Sequence, residues 1–122
     1  MKILIIDDSR TMRRLLSSFL APLTENIAEA GDGQAALTVL GQEAPFDLAL
    51  VDWDMPIMNG LDFVKTVRAD SRYADMKLMM VTAQNGFDTV SQAIEAGADD
   101  YLMKPLTEEM LFDKLRVLGM AE

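Results

Sequence analysis

Two periods alternate along this chain. Short, nearly unbroken apolar runs are separated by longer stretches whose apolar residues return every three or four positions. Lys2-Ile3-Leu4-Ile5-Ile6 runs into Asp7-Asp8, as expected of a strand buried on both faces of a parallel sheet. Ser9 then offers an N-cap, and Met12, Leu15, Leu16, Phe19 and Leu20 recur at helical spacing until Pro22 stops the pattern. Asn26-Ile27-Ala28-Glu29-Ala30 reads as a weaker second strand. Asp32 caps a helix carrying Ala36, Leu37 and Leu40 as far as Gly41. Asp47-Leu48-Ala49-Leu50-Val51-Asp52 is a third buried strand, and a loop over 53–59 leads through Gly60 into a helix bearing Leu61, Val64 and Val67. Met76 to Val81 predicts a fourth strand, followed by a helix with Val90, Ala93 and Ile94 that ends at Gly97. Asp100-Tyr101-Leu102-Met103 is the fifth strand. A last helix runs from Thr107 toward Leu118, with Glu108 and Glu109 suited to its positive N-terminus.

Five strands alternating with five helices predict a doubly wound α/β fold, a (βα)5 parallel sheet covered on both faces by right-handed crossovers. The 122 residues fit one domain over 1–122, with no linker or low-complexity segment to divide it. Half of the residues are hydrophobic and a quarter charged, enough for both a core and a soluble surface. No apolar run approaches the roughly 18 residues of a membrane span, and the start of the chain turns acidic too early for a signal peptide, so a cytoplasmic location without membrane insertion is expected. With no cysteine there are no disulfides, thiol nucleophiles or thiolate metal sites. With no histidine the chain cannot itself be a phosphohistidine donor, so any such donor is another protein. The net charge of −9 opposes a nucleic-acid backbone and favours protein or cation partners.

In open α/β sheets, ligands sit beyond the carboxyl ends of the strands. Four of the five predicted strands end in residues fit for ionic or phosphate chemistry: Asp7 and Asp8, Asp52, Thr82, and Lys104. A lone acidic residue there is more often a helix cap or turn former, but the joint pattern points to a site. If the first and third strands are neighbours, Asp7, Asp8 and Asp52 converge. At ~4 Å and an effective dielectric of ~20, each carboxylate pair costs about 4 kcal/mol, so the cluster needs protons or a cation. Mg2+ suits such a pocket, because it prefers oxygen ligands from one or two carboxylates with water and phosphate oxygens. A carboxylate is also a competent nucleophile toward phosphorus where positive charge neutralises the entering group. Lys104 can supply such charge, Thr82 a hydroxyl donor, and the small Ala83 leaves room for a phosphoryl donor.

Ile5-Ile6-Asp7-Asp8-Ser9, Val51-Asp52-Trp53-Asp54-Met55-Pro56, Asn59-Gly60, Val81-Thr82-Ala83 and Leu102-Met103-Lys104-Pro105 together resemble the response-regulator receiver domains of two-component signalling, over nearly the whole chain. The resemblance implies a flavodoxin-like, CheY-like sheet of order 2-1-3-4-5. It implies Asp52 as phosphoacceptor, Asp8 and Asp52 as direct Mg2+ ligands, Asp7 acting through water, and the Asp54 backbone carbonyl completing the set. Thr82 and Lys104 would bind the phosphoryl group, Lys104-Pro105 would be cis, and Tyr101 would be a switch aromatic that follows Thr82. Asp54 and Gln84 would flank the path of the water that hydrolyses the acyl phosphate. The donor would be a sensor histidine kinase, and a docking surface near Phe87, Val90, Ile94 and Tyr101 would meet a downstream output protein, the receiver being a monomer or a phosphorylation-dependent dimer. In this role the chain is a phosphoacceptor switch that assists its own phosphorylation and dephosphorylation.

Ser9-Arg10-Thr11-Met12-Arg13-Arg14-Leu15 and Thr107-Glu108-Glu109-Met110-Leu111 are similar to the small stand-alone chemotaxis receivers. The chain stops soon after its last helix, so output by docking is expected. Arg10, Arg13 and Arg14 fall on adjacent turns and suit either an acidic kinase face or plain solvation. Met79, Met80 and Met103 read as core filler. Two other readings compete. Asp52-Trp53-Asp54 also resembles the DxD motif of haloacid-dehalogenase-like phosphatases, but here the acidic pair precedes that motif and there is no room for a cap. A receiver-like module that is never phosphorylated would lack an acidic residue or the lysine, and both are present. A nucleotide- or flavin-binding protein would need a glycine-rich loop after the first strand, where Asp7-Asp8-Ser9-Arg10 stands instead.

Overall fold

The computed structural model describes residues 1–43, 45–83 and 87–122, with Phe87 described by its backbone. Strand β1 (Lys2–Ile6) is followed by α1 (Arg10–Leu20), β2 (Asn26–Ala30), α2 (Gly33–Glu43) and β3 (Leu48–Asp52). Then come α3 (Gly60–Arg68), β4 (Lys77–Thr82), α4 (Phe87–Ala96), β5 (Asp100–Met103) and α5 (Glu108–Val117). All strand pairs are parallel and the sheet order is β2-β1-β3-β4-β5, so β1 and β3 are neighbours at the point where the winding reverses.

The sheet sorts its side chains by parity. Leu4, Ile6, Ala49, Val51, Leu78 and Met80 face one side, where they pack with Leu40 of α2, Phe63, Val64 and Val67 of α3, and Ala93 of α4. Their neighbours Ile3, Ile5, Leu48, Leu50, Met79, Val81 and Leu102 face the other side and meet Leu16 and Leu20 of α1 and Leu111 and Leu115 of α5. Each fully buried aliphatic or aromatic side chain contributes about 1.5–3 kcal/mol relative to exposure, so the two-sided burial of β1, β3 and β4 is the main support of the fold. It also explains why these strands read as unbroken apolar runs rather than alternating ones.

Boundaries follow local chemistry. Ser9, Asn59 and Thr107 cap α1, α3 and α5 by accepting the backbone N–H groups of Met12, Asp62 and Met110. Asp32 does the same for Ala35 ahead of α2. That helix continues past Gly41 to Glu43, because Gly41 lies on an exposed face where its missing side chain breaks no contact. Gly97 does end α4, in the left-handed region at φ 117°. The β4 strand is shifted by one residue from the predicted span, which places Thr82 inside it. A short 3-10 turn over Ser71–Tyr73, invisible to hydrophobic periodicity, connects α3 to β4. Among the described residues no helix is long and apolar enough to cross a membrane.

At the amino end of β4 and β5 the chain is clasped by Arg68. Its guanidinium donates to the carbonyls of Gly97 (2.8 Å) and Tyr73 (3.1 Å) and to the Asp99 carboxylate (2.8 Å), which also accepts the Leu78 N–H. One side chain thus joins α3, the 3-10 turn and the α4–β5 connection. Replacing Arg68 by Met keeps the stem but strands these acceptors, and a loss of about 2–3 kcal/mol in urea-denaturation stability is expected.

Candidate functional site

Three polar side chains are buried among the described residues, Asp7 (1% exposed), Asp52 (5%) and Thr82 (2%), and all three stand at the carboxyl ends of β1, β3 and β4. Burial of ionisable groups is costly unless they are paired, so the gathering of Asp7 and Asp52 in one place marks a built site. Carboxylate oxygens of Asp7, Asp8 and Asp52 come within 4.8 Å of one another, with Asp8 on the exposed rim. Lys104, just beyond β5, closes the pocket from the other side. Its ammonium donates to Asp7 Oδ2 (3.0 Å) and Asp52 Oδ1 (3.1 Å).

Each group is held by its own strand end. The Asp7 N–H donates to the Ala30 carbonyl of β2 (3.1 Å), and Asp7 Oδ1 accepts the Ser9 N–H (2.9 Å), which fixes the acidic turn ahead of α1. Lys104 N donates to the Thr82 carbonyl (2.8 Å), so β4 sets the height from which the lysine reaches inward, and the Lys104–Pro105 bond that follows is cis. Gly60 N donates to the Trp53 carbonyl (2.9 Å). A Cβ on Gly60 would fall against the Asp52 carbonyl oxygen and 2.9 Å from its carbon, so glycine is what lets α3 start directly beneath Asp52. The loop over 53–59 is further pinned by the Gly33 N–H to the Met58 carbonyl (3.3 Å). It holds Ile57 at φ 69°, a left-handed conformation that costs a β-branched residue roughly 1–2 kcal/mol.

Desolvation, with the nearby Asp7 charge, raises the Asp52 pKa from 3.8 to about 6 despite the opposing pull of Lys104. Burial alone would lower Lys104, but its hydrogen bond to Asp7 and the charges of Asp52 and Asp7 outweigh this and hold the ammonium above its ordinary value. Three carboxylates against one ammonium leave a net charge of −2, enclosed by oxygen donors alone. This donor set fits a hard divalent cation such as Mg2+ and fits poorly with softer metals.

The residues singled out in the sequence therefore divide. Asp7, Asp8, Asp52, Thr82 and Lys104 are brought together; Asp54 lies on the exposed loop directly after them. Tyr101 is half-buried on β5, opposite Met80, with Val90 half-buried and Ile94 46% exposed on α4. Gln84 and the Phe87 side chain lie outside the described residues. Arg13 departs from the plain basic face expected of α1: it is half-buried and donates to the Asp7 carbonyl (2.6 Å) and to Glu29 (3.1 Å), while Arg10 and Arg14 remain exposed. Hydrophobic spacing carries no sign of that contact, nor of Lys114, whose ammonium sits 4.7 Å from the centre of the Tyr101 ring.

An open, doubly wound sheet with an acidic, lysine-bridged pocket at its switch point defines a class of α/β proteins that handle phosphoryl groups and hard cations. The chain belongs to the response regulator receiver domain family, whose sequence model matches residues 3–116. It is 42% identical over 119 residues to chemotaxis protein CheY1 of Helicobacter pylori, covering 97% of this chain and 96% of that one. To chemotaxis protein CheY of Pseudomonas aeruginosa it is 43% identical over 116 residues, covering 94% and 93%. The solved structure of the chemotaxis response regulator CheY4 of Vibrio cholerae superposes with a TM-score of 0.88 at 33% identity, covering 96% of this chain and 97% of that one. The protein is thus a two-component receiver, a phosphoacceptor switch homologous to chemotaxis response regulators. The phosphatase and nucleotide-binding readings fall with this result.

The raised Asp52 pKa has a consequence for stability. Between pH 3.8 and about 6 the folded state holds a proton that the unfolded chain releases, so Asp52 destabilises the fold increasingly as pH rises through that window. Two pKa units correspond to ~3 kcal/mol before screening, and about 1–2 kcal/mol is expected for a pocket whose mouth meets water. In chelator, Asp52→Asn should therefore be more stable than the parent by that amount at pH 7.5, with the gain gone at pH 4. Urea denaturation at the two pH values checks it.

Proposed function

We propose that Asp52 takes a phosphoryl group from the phosphohistidine of a sensor kinase and that the resulting acyl phosphate controls a protein-docking surface. The observation that carries this reading is the ammonium of Lys104 bridging buried Asp52 and Asp7 at the strand ends. Above pH ~6 Asp52 is ionised, so a carboxylate oxygen is available to attack phosphorus. The new P–O bond forms as the P–N bond to the donor imidazole breaks, and that imidazole departs with the bonding electron pair.

Lys104 can follow the transferring group by exchanging its hydrogen bond to Asp52 for one to a phosphoryl oxygen while keeping Asp7. The Thr82 hydroxyl donates to another phosphoryl oxygen. Asp8 and Asp52, with the Asp54 main-chain carbonyl and Asp7 through water, are the residues that would hold Mg2+, whose chemistry is to neutralise charge on the phosphoryl oxygens. The movement of Thr82 toward the phosphoryl group gives Tyr101 room to shift, and the half-exposed surface of Val90, Ile94 and Tyr101 changes with it. The whole chain, 1–122, acts as one receiver unit in the cytoplasm. Chemotaxis is the pathway that its similarity to the two CheY proteins supports.

Intact mass after incubation with acetyl phosphate and Mg2+ tests the reading. One added phosphoryl group is expected, and it should be absent from Asp52→Asn and from samples with chelator. No adduct on the parent protein would refute Asp52 as phosphoacceptor and leave an interaction module with a silent site.

Asp54 stands two residues after Asp52 and is exposed, which supports a place for it beside the approach of a hydrolytic water. Asp54→Asn and Asp54→Ala should each change the lifetime of the acyl phosphate at least severalfold, consistent with the 10²–10⁴ range of acid–base or water-positioning effects being only partly engaged. Following the decay of the phosphorylated mass measures it, and equal lifetimes in all three proteins would exclude the role.

A further inference from the structure

We infer that Lys114 is a positioning residue for the aromatic switch, a cationic latch that holds the Tyr101 ring at the outer rim of the sheet and so favours the undocked state. The inference rests on the reading of Tyr101 as the switch.

The geometry begins with β5 being an edge strand. Tyr101 belongs to the face covered by α4, since its register partner on β4 is Met80, whereas Leu102 points to the face covered by α1 and α5. Lys114 is carried by α5, on the opposite side of the sheet from the Tyr101 side chain. Its ammonium nevertheless lies 4.7 Å from the centre of the Tyr101 ring and donates to Asp100 Oδ1 at 3.0 Å. An ammonium arriving from the other face can reach the ring only around the edge of β5, so the ring it contacts is at the rim and not drawn over β4 toward Thr82.

Asp100 fixes the latch in place. Its Oδ1 also accepts the Tyr101 N–H (2.8 Å), so the same carboxylate oxygen holds both the backbone that carries the ring and the ammonium that covers it. The pair is partly shielded, with the Lys114 side chain 31% and the Asp100 side chain 17% exposed. An ammonium over an aromatic face is attracted by the ring quadrupole, and the attraction is lost if the ring moves inward. Lys114 therefore interacts differently with the two ring positions, which is the requirement for biasing a two-state equilibrium.

Beryllofluoride with Mg2+ serves as the probe, because it mimics a phosphoryl group on a carboxylate and binds the docked-competent state in preference. Titrations are read by the fluorescence of Trp53, the chain's one tryptophan, adjacent to Asp52. Lys114→Met should bind beryllofluoride about two- to fivefold more tightly than the parent, the size expected for a partly exposed cation–π contact. Lys114→Arg, which keeps a cation over the ring, should match the parent. In a Tyr101→Ala background, Lys114→Met should have no effect, which separates the latch from any contribution through Asp100 alone. Unchanged or weaker binding in Lys114→Met, or the same change with and without the tyrosine ring, overturns the latch. A fluorotyrosine resonance of Tyr101 that does not respond to beryllofluoride in the parent refutes the switch and the latch together; a responsive resonance without a Lys114 effect refutes the latch alone.

Discussion

The ammonium of Lys104, shared between Asp7 and Asp52, is the contact on which the arrangement of this protein turns. Parallel winding brings the ends of β1 and β3 side by side, and the chain has placed a carboxylate at each. Left alone, those charges would push the strand ends apart or take up protons. Lys104 draws them together from across the sheet, over sequence separations of 97 and 52 residues, and its own backbone is fixed by β4 through the Thr82 carbonyl. The ends of four adjacent strands, β1, β3, β4 and β5, are thus tied at one point. The tie is incomplete in its charges, since one ammonium cannot satisfy three carboxylates, and the remaining negative charge favours a cation at the pocket.

Most of the fold was legible in the sequence because the strands β1, β3 and β4 are buried on both faces and leave no ambiguity of period. The site was legible for a related reason: in a doubly wound sheet the residue just past each apolar run is delivered to the same end, so Asp7, Asp52, Thr82 and Lys104 could be read off the ends of the runs. What could not be read were contacts made by long side chains across elements. Arg68, Arg13 and Lys114 each lie on a helix with ordinary amphipathic spacing, and nothing in that spacing says that Arg68 reaches three chain segments, that Arg13 turns in to the Asp7 carbonyl, or that Lys114 rounds the edge of β5. Gly41 misled for a simpler reason, since a glycine marks a helix end only when the backbone there adopts positive φ, as at Gly97.

The two cores stand in different relation to the site. The buried residues on the side packed by α1 and α5 are aliphatic residues and methionine, with Phe19 and Phe112 at its margin, whereas the α4 side carries Tyr101 at its margin, near the half-buried Val90 and exposed Ile94. The exposed Ile94 and half-buried Val90 leave the α4 margin open to solvent beside Tyr101. A tightly filled interior transmits a shift but does not accommodate one.

The Arg68 clasp gathers its partners at the amino ends of β4 and β5, while every group of the acidic pocket lies at the carboxyl ends. Rigidity and chemistry thus occupy opposite poles of the same sheet. In evolutionary terms this separation gives freedom: the loops around the pocket can be rewritten without disturbing the Arg68 contacts at the far end of the sheet. A lineage of such proteins can diverge in timing and allegiance while sharing one skeleton.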